Sequence, residues 1–385
     1  KQAGFQKVFV PAQSANEAAI IRGIDVYPVE TLQQIVAHLM GQEVVAPVLF
    51  RDQEGEQKAF EAEFDMGEIL GQEKAKRAME IAAAGGHNIL LVGSPGAGKT
   101  MLARALPGIL PSLSDEESLE VTKIYSAAGA ISPGGSLIRL RPFRAPHHTI
   151  SQIGLTGGGS KPQPGEITLS HRGVLFLDEF NEFPRFVLEA LRQPVEDGSV
   201  TISRSRERVT YPCRFMLVAS SNPCPCGYLH HSKRACSCSP WEIQRYRKRV
   251  SGPILDRIDL HVEVPEVDPR DLAQDPGVKK FLEASHAIRK RVALARAMQE
   301  ERFANDRIHT NAEMKNAHLK KYCNLPKEAE QLLLRAAAMY HFSARTYFKI
   351  IKIARTIADL EGGKDMGISQ IGEALQYRSK EYGAE

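Results

Sequence analysis

The chain has 385 residues, 43% hydrophobic and 25% charged, with 50 Lys and Arg against 46 Asp and Glu for a net charge of +4. That length allows two or three domains with their own cores, and no apolar run approaches the roughly 20 residues that span a bilayer. No basic-then-apolar leader is present, so a cytoplasmic location and no membrane partner are expected. The net charge alone is too small to argue for nucleic acid, but between Val200 and Leu260 there are 11 Lys and Arg against 4 Asp and Glu, which favours a polyanion or a solvated face.

In chain order, residues 1–47 read as a β-α-β-α unit. KVFVP is a short buried strand, and SANEAAIIRG is a helix capped by Ser14 or Asn16 and stopped at Gly23. DVYPV is a second strand, and ETLQQIVAHLMG a second helix closed by Gly41. Residues 48–66, rich in Glu and Gln, read as a linker. From 67 to 268, strand signals recur at HNILLVG, GVLFLDE, RFMLVAS and LHVEVP, with helical stretches such as RFVLEALRQPVED between them. Alternating strands and helices predict an α/β fold with a parallel sheet covered on both faces. From 269 to 385 the strand signals vanish. FLEASHAIRKRVALARAMQEE, KEAEQLLLRAAAMYH, ARTYFKIIKIARTIADLEG and SQIGEALQYRSKEY predict a helical lid domain.

GSPGAGKT, formed by Gly93, Ser94, Pro95, Gly96, Ala97, Gly98, Lys99 and Thr100, follows a strand and opens a helix at Met101. This spacing is the P-loop pattern for ATP, whose glycines let backbone N–H groups close around phosphates. Lys99 is assigned to the β- and γ-phosphates and Thr100 to Mg²⁺. The strand GVLFLDEF delivers Asp178 and Glu179 at its carboxyl end, the edge where ligands bind in open α/β sheets. Asp178 is read as orienting Mg²⁺ and Glu179 as polarising the attacking water. RFMLVASSN ends at Asn222, a candidate to bind that water or the γ-phosphate, or else an Asx turn before Pro223.

DGSVTISRSRERVTYP reads as two strands around a short turn. Arg204, Arg206 and Arg208 share one face if the strand stays extended, and could track DNA phosphates or lie on a solvated hairpin. ISQIGLTGGGSKPQPGE, with its glycines and Lys161, is a second candidate DNA-facing loop. In CPCGYLHHSKRACSC, Cys224-x-Cys226 and Cys236-x-Cys238 are nine residues apart, so four of the six cysteines lie together. A structural Zn²⁺ site is one reading, with His230 or His231 able to replace a thiolate, and a loop of free thiols is the other. Cys213 and Cys323 stand alone and are expected in the core.

Several long segments carry a family resemblance: ILGQEKAKRAMEIAAAGGHNILLVGSPGAGKTMLARALPGILP, RPFRAPHHTIS, KPQPGEITLSHRGVLFLDE, LEALRQPVEDGSVTISR, SNPCPCG and SGPILDRIDLHVEV. They resemble the magnesium-chelatase-like branch of AAA+ ATPases, most closely the ComM/YifB family. Residues 1–47 resemble the end of that family's Lon-like domain, without a Ser-Lys pair to support protease activity. The resemblance implies a homo-hexameric ring with ATP at subunit interfaces and Asn222 as sensor 1. Arg257 is implied as arginine finger, with Arg249 the second choice, and Arg345 as the sensor 2 arginine. For Arg257 the other reading is a surface ion pair with Asp256 or Asp259. Ile69, Leu70 and Gly71 fall where such proteins hold adenine. The hairpin at Arg204, Arg206 and Arg208 corresponds to one that points into the ring pore, as in the related MCM helicases. The implied activity is ATP-driven DNA translocation and branch migration during natural transformation. The rival activities are a magnesium-chelatase motor subunit and a protein-remodelling motor. RAPHH, with His147 and His148, matches the family without a role that the residues reveal.

Overall fold

The computed structural model describes residues 4–19, 23–48, 62–131, 137–159, 162–203, 208–229, 231, 233–267, 283–363 and 365–378. They fall into two units, Lys1–Phe60 with Ser112–Leu140 and Glu61–Pro111 with Arg141–Glu385.

In the first unit, β1 (Lys7–Pro11) and β2 (Asp25–Val29) pair in parallel, with Lys7 opposite Asp25 and Pro11 opposite Val29. Ala15, Ala19 and Val26 make a small core with Val10, Ala18 and Val48. Expected to be buried, β1 is instead exposed at Lys7, Val8 and Pro11 and half-buried between, because among the described residues only a two-stranded layer and the short helices Ala15–Ala19 and Leu32–Leu39 back it. The helix Ala15–Ala19 contains Asn16 rather than being capped by it. The helix Leu32–Leu39 begins where the Thr31 side chain accepts from the Gln34 N–H, as a cap should. In the same unit the helix Asp115–Ala127 opens on a capping box between Ser114 and Glu117. The segment 137–140 returns to it through Thr122 and an Arg139–Asp115 ion pair of 2.6 Å.

The second unit holds β3 (Ile89–Val92), β4 (Phe143–Arg144), a hairpin of β5 (Gly157–Gly158) and β6 (Gln163–Pro164), and β7 (Val174–Leu177). A longer hairpin of β8 (Ser199–Ser203) and β9 (Arg208–Pro212) follows, then β10 (Met216–Ser221) and β11 (Leu260–Glu263). Five of these form one parallel sheet in the order β11-β3-β10-β7-β4. Every residue of β3, β7 and β10 is buried, as continuous apolar strands between two helical layers must be. Strand alternation divides them: Ile89, Leu91, Phe176 and Val218 face one core, Leu90, Leu175, Leu177 and Leu217 the other. Cys213 and Cys323 are both buried, as expected.

Three details depart from the sequence pattern. The edge strand β4 was not anticipated, being two residues between prolines. RFVLEALRQPVED is two helices, Arg185–Glu189 and Arg192–Asp197, with Pro194 in the first turn of the second, where its missing N–H costs little. The helix Asn316–Tyr322 was also missed, and it joins the expected helices Ser285–Arg302, Lys327–Met339, Ala344–Leu360 and Ile368–Gln376. These C-terminal helices share a core with Glu73–Gly85 and with the β3 face of the sheet, through residues such as Val292, Ile353, Ile357 and Met79.

A buried polar network joins the helices to the sheet as well. His87 lies 2.8 Å from Thr356 Oγ1 and 3.4 Å from Asp259, and Asp259 lies 2.9 Å from Lys349 Nζ. Burial would raise the Asp259 carboxyl, but the Lys349 charge and the contacts with His87 hold it well below the ordinary range. Arg302, Asn311 and Arg355 converge on Asp359.

Candidate nucleotide site and its surroundings

β3 delivers the chain to Gly93, where a Cβ would lie 2.3 Å from the Val264 carbonyl oxygen, so a side chain is sterically barred. Gly96 and Gly98 take φ of +81° and +88° with open space where a Cβ would sit. Only glycine adopts such a loop without strain. Among the described residues, the buried Ser94 hydroxyl has no hydrogen-bond partner. Lys99 folds back over the loop, donating to the carbonyls of Gly93 (2.7 Å) and Ser94 (2.9 Å) and to Asn222 Oδ1 (3.1 Å). Burial pushes its ammonium down to about 8, although Asp178 and Glu179 oppose the shift. The loop geometry, the orphan hydroxyl and a lysine held by weaker carbonyl partners all fit a triphosphate.

Thr100 Oγ1 donates to Asp178 Oδ2 at 2.9 Å, so a hydroxyl and a carboxylate converge as a hard divalent cation requires. The other Asp178 oxygen accepts from Ser220 Oγ and, at 3.1 Å, from the Glu179 N–H. Glu179 sits at φ +52°, a left-handed conformation uncommon outside glycine. His148 Nδ1 lies 3.4 Å from that carboxylate, and its ring lies against His147 at 4.0 Å. Because β10 runs between β3 and β7, Asn222 emerges beside Lys99.

At the base end, Ile69 is buried, Leu70 is half-buried, and Gly71 takes φ +64° facing Val267. Gln72 donates to the carbonyls of Ala97 (3.2 Å) and Pro265, tying this segment to the loop. Met101 stands partly exposed in the helix Lys99–Ala105.

The arginines lie elsewhere. Arg257 pairs with Glu196, not with Asp256 or Asp259, and donates to the carbonyls of Arg192 (2.9 Å) and Pro253 (2.6 Å). Arg345 reaches the same Glu196 at 3.3 Å. Arg249 pairs with Glu182 at 2.7 Å on an open basic cleft that also includes Arg185, Arg245 and Lys248. Among the described residues, Arg257, Arg345 and Arg249 donate to no group of the P-loop.

The sulfurs of Cys224, Cys226, Cys236 and Cys238 lie within 4.8 Å of one another. The Tyr228 backbone N–H lowers the Cys226 thiol to about 5, while burial pushes Cys224 up and burial with the neighbouring thiols pushes Cys238 up to about 12. His231 is not a ligand: its Nε2 meets Glu266 at 2.7 Å and its Nδ1 accepts from the N–H groups of Lys233 and Arg234. His230, Lys161, Arg204 and Arg206 lie outside the described residues. Arg208 opens β9 and is exposed. Among the described residues, no helix is long and apolar enough to cross a membrane.

Ser220, Gln72 and Glu196 escaped the sequence reading, and His148 was singled out there without a role. The doubled serine before Asn222 could have flagged Ser220. Nothing local marks Gln72 or Glu196, whose partners are remote in sequence.

The family described as magnesium chelatase, subunit ChlI, matches residues 65–272, and its C-terminal counterpart matches residues 282–378. The chain is 40% identical to competence protein ComM of Haemophilus influenzae over 376 residues, 97% of this chain and 72% of that one. It is 39% identical to YifB of Salmonella typhimurium over 374 residues, 97% and 71% of the two chains. To the magnesium-chelatase 38 kDa subunit of Cereibacter sphaeroides it is 27% identical over 176 residues, 42% of this chain and 53% of that one.

Proposed function

We propose that this chain, which belongs to the magnesium chelatase subunit ChlI family of AAA+ ATPases, is an ATP-driven DNA translocase that promotes branch migration during natural transformation. The observation that carries this reading is a continuous mechanical path. The arginine-bearing strand β9 runs through Cys213–Phe215 into β10, and β10 is followed directly by Asn222, which accepts from Lys99. A change at the nucleotide phosphates therefore acts on the strand that anchors the hairpin.

In this mechanism Lys99 leaves the carbonyls of Gly93 and Ser94 for the phosphates, and the loop N–H groups close around them. Thr100 and Asp178 would hold Mg²⁺, which would supply positive charge to offset that of the phosphates. Glu179 orients the attacking water, and Asn222 reads the phosphate end. Ile69, Leu70 and Gly71 receive the base, and Met101 flanks the phosphates. Arg257 and Arg345, held together on Glu196 away from the chain's own loop, act on the nucleotide of the next subunit in a homo-hexamer. An arginine suits that role because it is permanently charged and bidentate. Arg204, Arg206, Arg208 and Lys161 contact DNA. The four-cysteine cluster binds a structural Zn²⁺, a borderline-soft ion that thiolates select.

Resemblance to a named competence protein over nearly the whole chain favours DNA over a porphyrin enzyme as the partner, since the chelatase match is lower and shorter. The test is DNA affinity, by fluorescence anisotropy, across a salt series. Replacing Arg204, Arg206 and Arg208 together with alanine should weaken binding and reduce the slope of log affinity against log salt by about 2 to 3. An unchanged slope would remove the hairpin from the DNA path.

A further inference from the structure

The cysteine cluster is one wall of the nucleotide site. Gly227, within the cluster, takes φ +83°, and a Cβ there would lie 2.6 Å from the Pro95 ring of the P-loop. Two residues before Cys224, Asn222 accepts from Lys99. Beyond Cys226, His231 binds Glu266 at 2.7 Å, and the neighbouring Pro265 carbonyl accepts from Gln72, which also holds Ala97 in the P-loop. On the same extension of β11, Val264 lies against Gly93. The P-loop is thus held on two sides, by the cysteine loop at Pro95 and Lys99 and by 264–266 at Gly93 and Ala97. His231 closes the two into one belt.

Among the described residues of 222–238 the local hydrogen bonds are isolated turns, such as Gly227 N–H to the Cys224 carbonyl and His231 N–H to the Tyr228 carbonyl, and no ladder holds the belt in shape. Among the described residues the segment forms no helix or strand before Pro240, and its cysteines cluster, with Cys224 Sγ 3.4 Å from Cys226 Sγ and 3.7 Å from Cys236 Sγ, and Cys226 Sγ 3.5 Å from Cys236 Sγ. Four thiols so gathered gain little from one another. A tetrahedral ion would bind all four and fix the loop outright. We propose that Zn²⁺ bound by Cys224, Cys226, Cys236 and Cys238 sets the ATP-binding shape of the P-loop through the Gly227–Pro95 contact and the His231–Glu266 tie, so that nucleotide affinity depends on the metal. This inference rests on the zinc reading above. Gly227, His231 and Glu266 are positioning residues that act through Pro95 and Gln72.

The experiment uses the whole chain and reads zinc content and affinity for a fluorescent ATP analogue, with circular dichroism and the thermal transition as folding controls. The chain should carry one zinc per chain. Stripping it with a chelator should cut nucleotide affinity at least about tenfold, the loss expected when one charge-assisted hydrogen bond is misaligned, and added Zn²⁺ should restore it. Gly227→Val should keep the zinc and lose affinity by a similar factor. Absence of zinc from reduced protein overturns the metal reading itself. Zinc present with affinity unchanged after its removal overturns only the link to ATP. If stripping unfolds the chain, Gly227→Val decides: full affinity with zinc retained contradicts the inference. If that variant does not fold, Pro95→Ala, which removes the ring that Gly227 abuts, is read the same way.

Discussion

Lys99 shows what one residue contributes before any ligand arrives. Its ammonium is buried against loop carbonyls, and that desolvation leaves it titrating near 8 rather than in the ordinary lysine range. Phosphate binding needs the charged form. Below pH 7 the amine is already charged, so ATP affinity should be flat there. Above pH 8 binding must take up a proton, and affinity should fall by roughly tenfold per pH unit, the limit for one linked proton. A titration of ATP affinity from pH 6.5 to 9.5 checks this, and a profile flat to the upper end would refute the depressed lysine. Most of the residues that converge at the candidate site were legible in the sequence. Gly93, Gly96, Gly98, Lys99, Thr100, Asp178 and Asn222 each end or follow an apolar strand, and the parallel sheet brings those ends to one edge. The partners of Arg257 and Arg345 were not legible. Glu196 lies 61 residues from the first and 149 from the second, and only packing brings the three together.

At the scale of elements, the helix Ala344–Leu360 and the turn into β11 are joined by a buried charge pair. Lys349 donates to the Ile258 carbonyl at 3.1 Å and pairs with Asp259, and Arg378 donates to Ile258 as well, at 2.9 Å. The turn that carries Arg257 is therefore gripped by the C-terminal helices. Asp259→Ala leaves the Lys349 charge and the Asn88 N–H without their carboxylate and should cost about 3–5 kcal/mol of stability, read from the urea midpoint. Replacing both Asp259 and Lys349 with leucine should recover much of that loss, because no unpaired charge remains. A single variant as stable as wild type would contradict the grip. Helix periodicity predicted four of the helices involved but could not indicate this pair, since an amphipathic pattern marks which face is buried and not which buried polar groups meet. β4 escaped for another reason: two residues between prolines carry no strand period.

For the whole molecule, the central claim is that nucleotide turnover is coupled to DNA, with the catalytic groups of one chain completed by arginines of the next. The chain brings Lys99 over its glycine-rich loop, Thr100 onto Asp178 and the Glu179 carboxylate beside His148, while Arg257 and Arg345 pair with Glu196. A ring is the simplest assembly that gives every site its arginine. The most direct measurement is steady-state ATP hydrolysis, with and without single-stranded or branched DNA. Wild type should be stimulated by DNA, and Glu179→Gln and Arg257→Ala should each fall at least about a hundredfold, since each loses a group that acts only in the transition state. An equal mixture of the two variants should regain activity, because some interfaces then combine an intact Glu179 with an intact Arg257. Hydrolysis indifferent to every DNA, with no recovery on mixing, would contradict the account and direct attention to a protein partner of the chelatase kind.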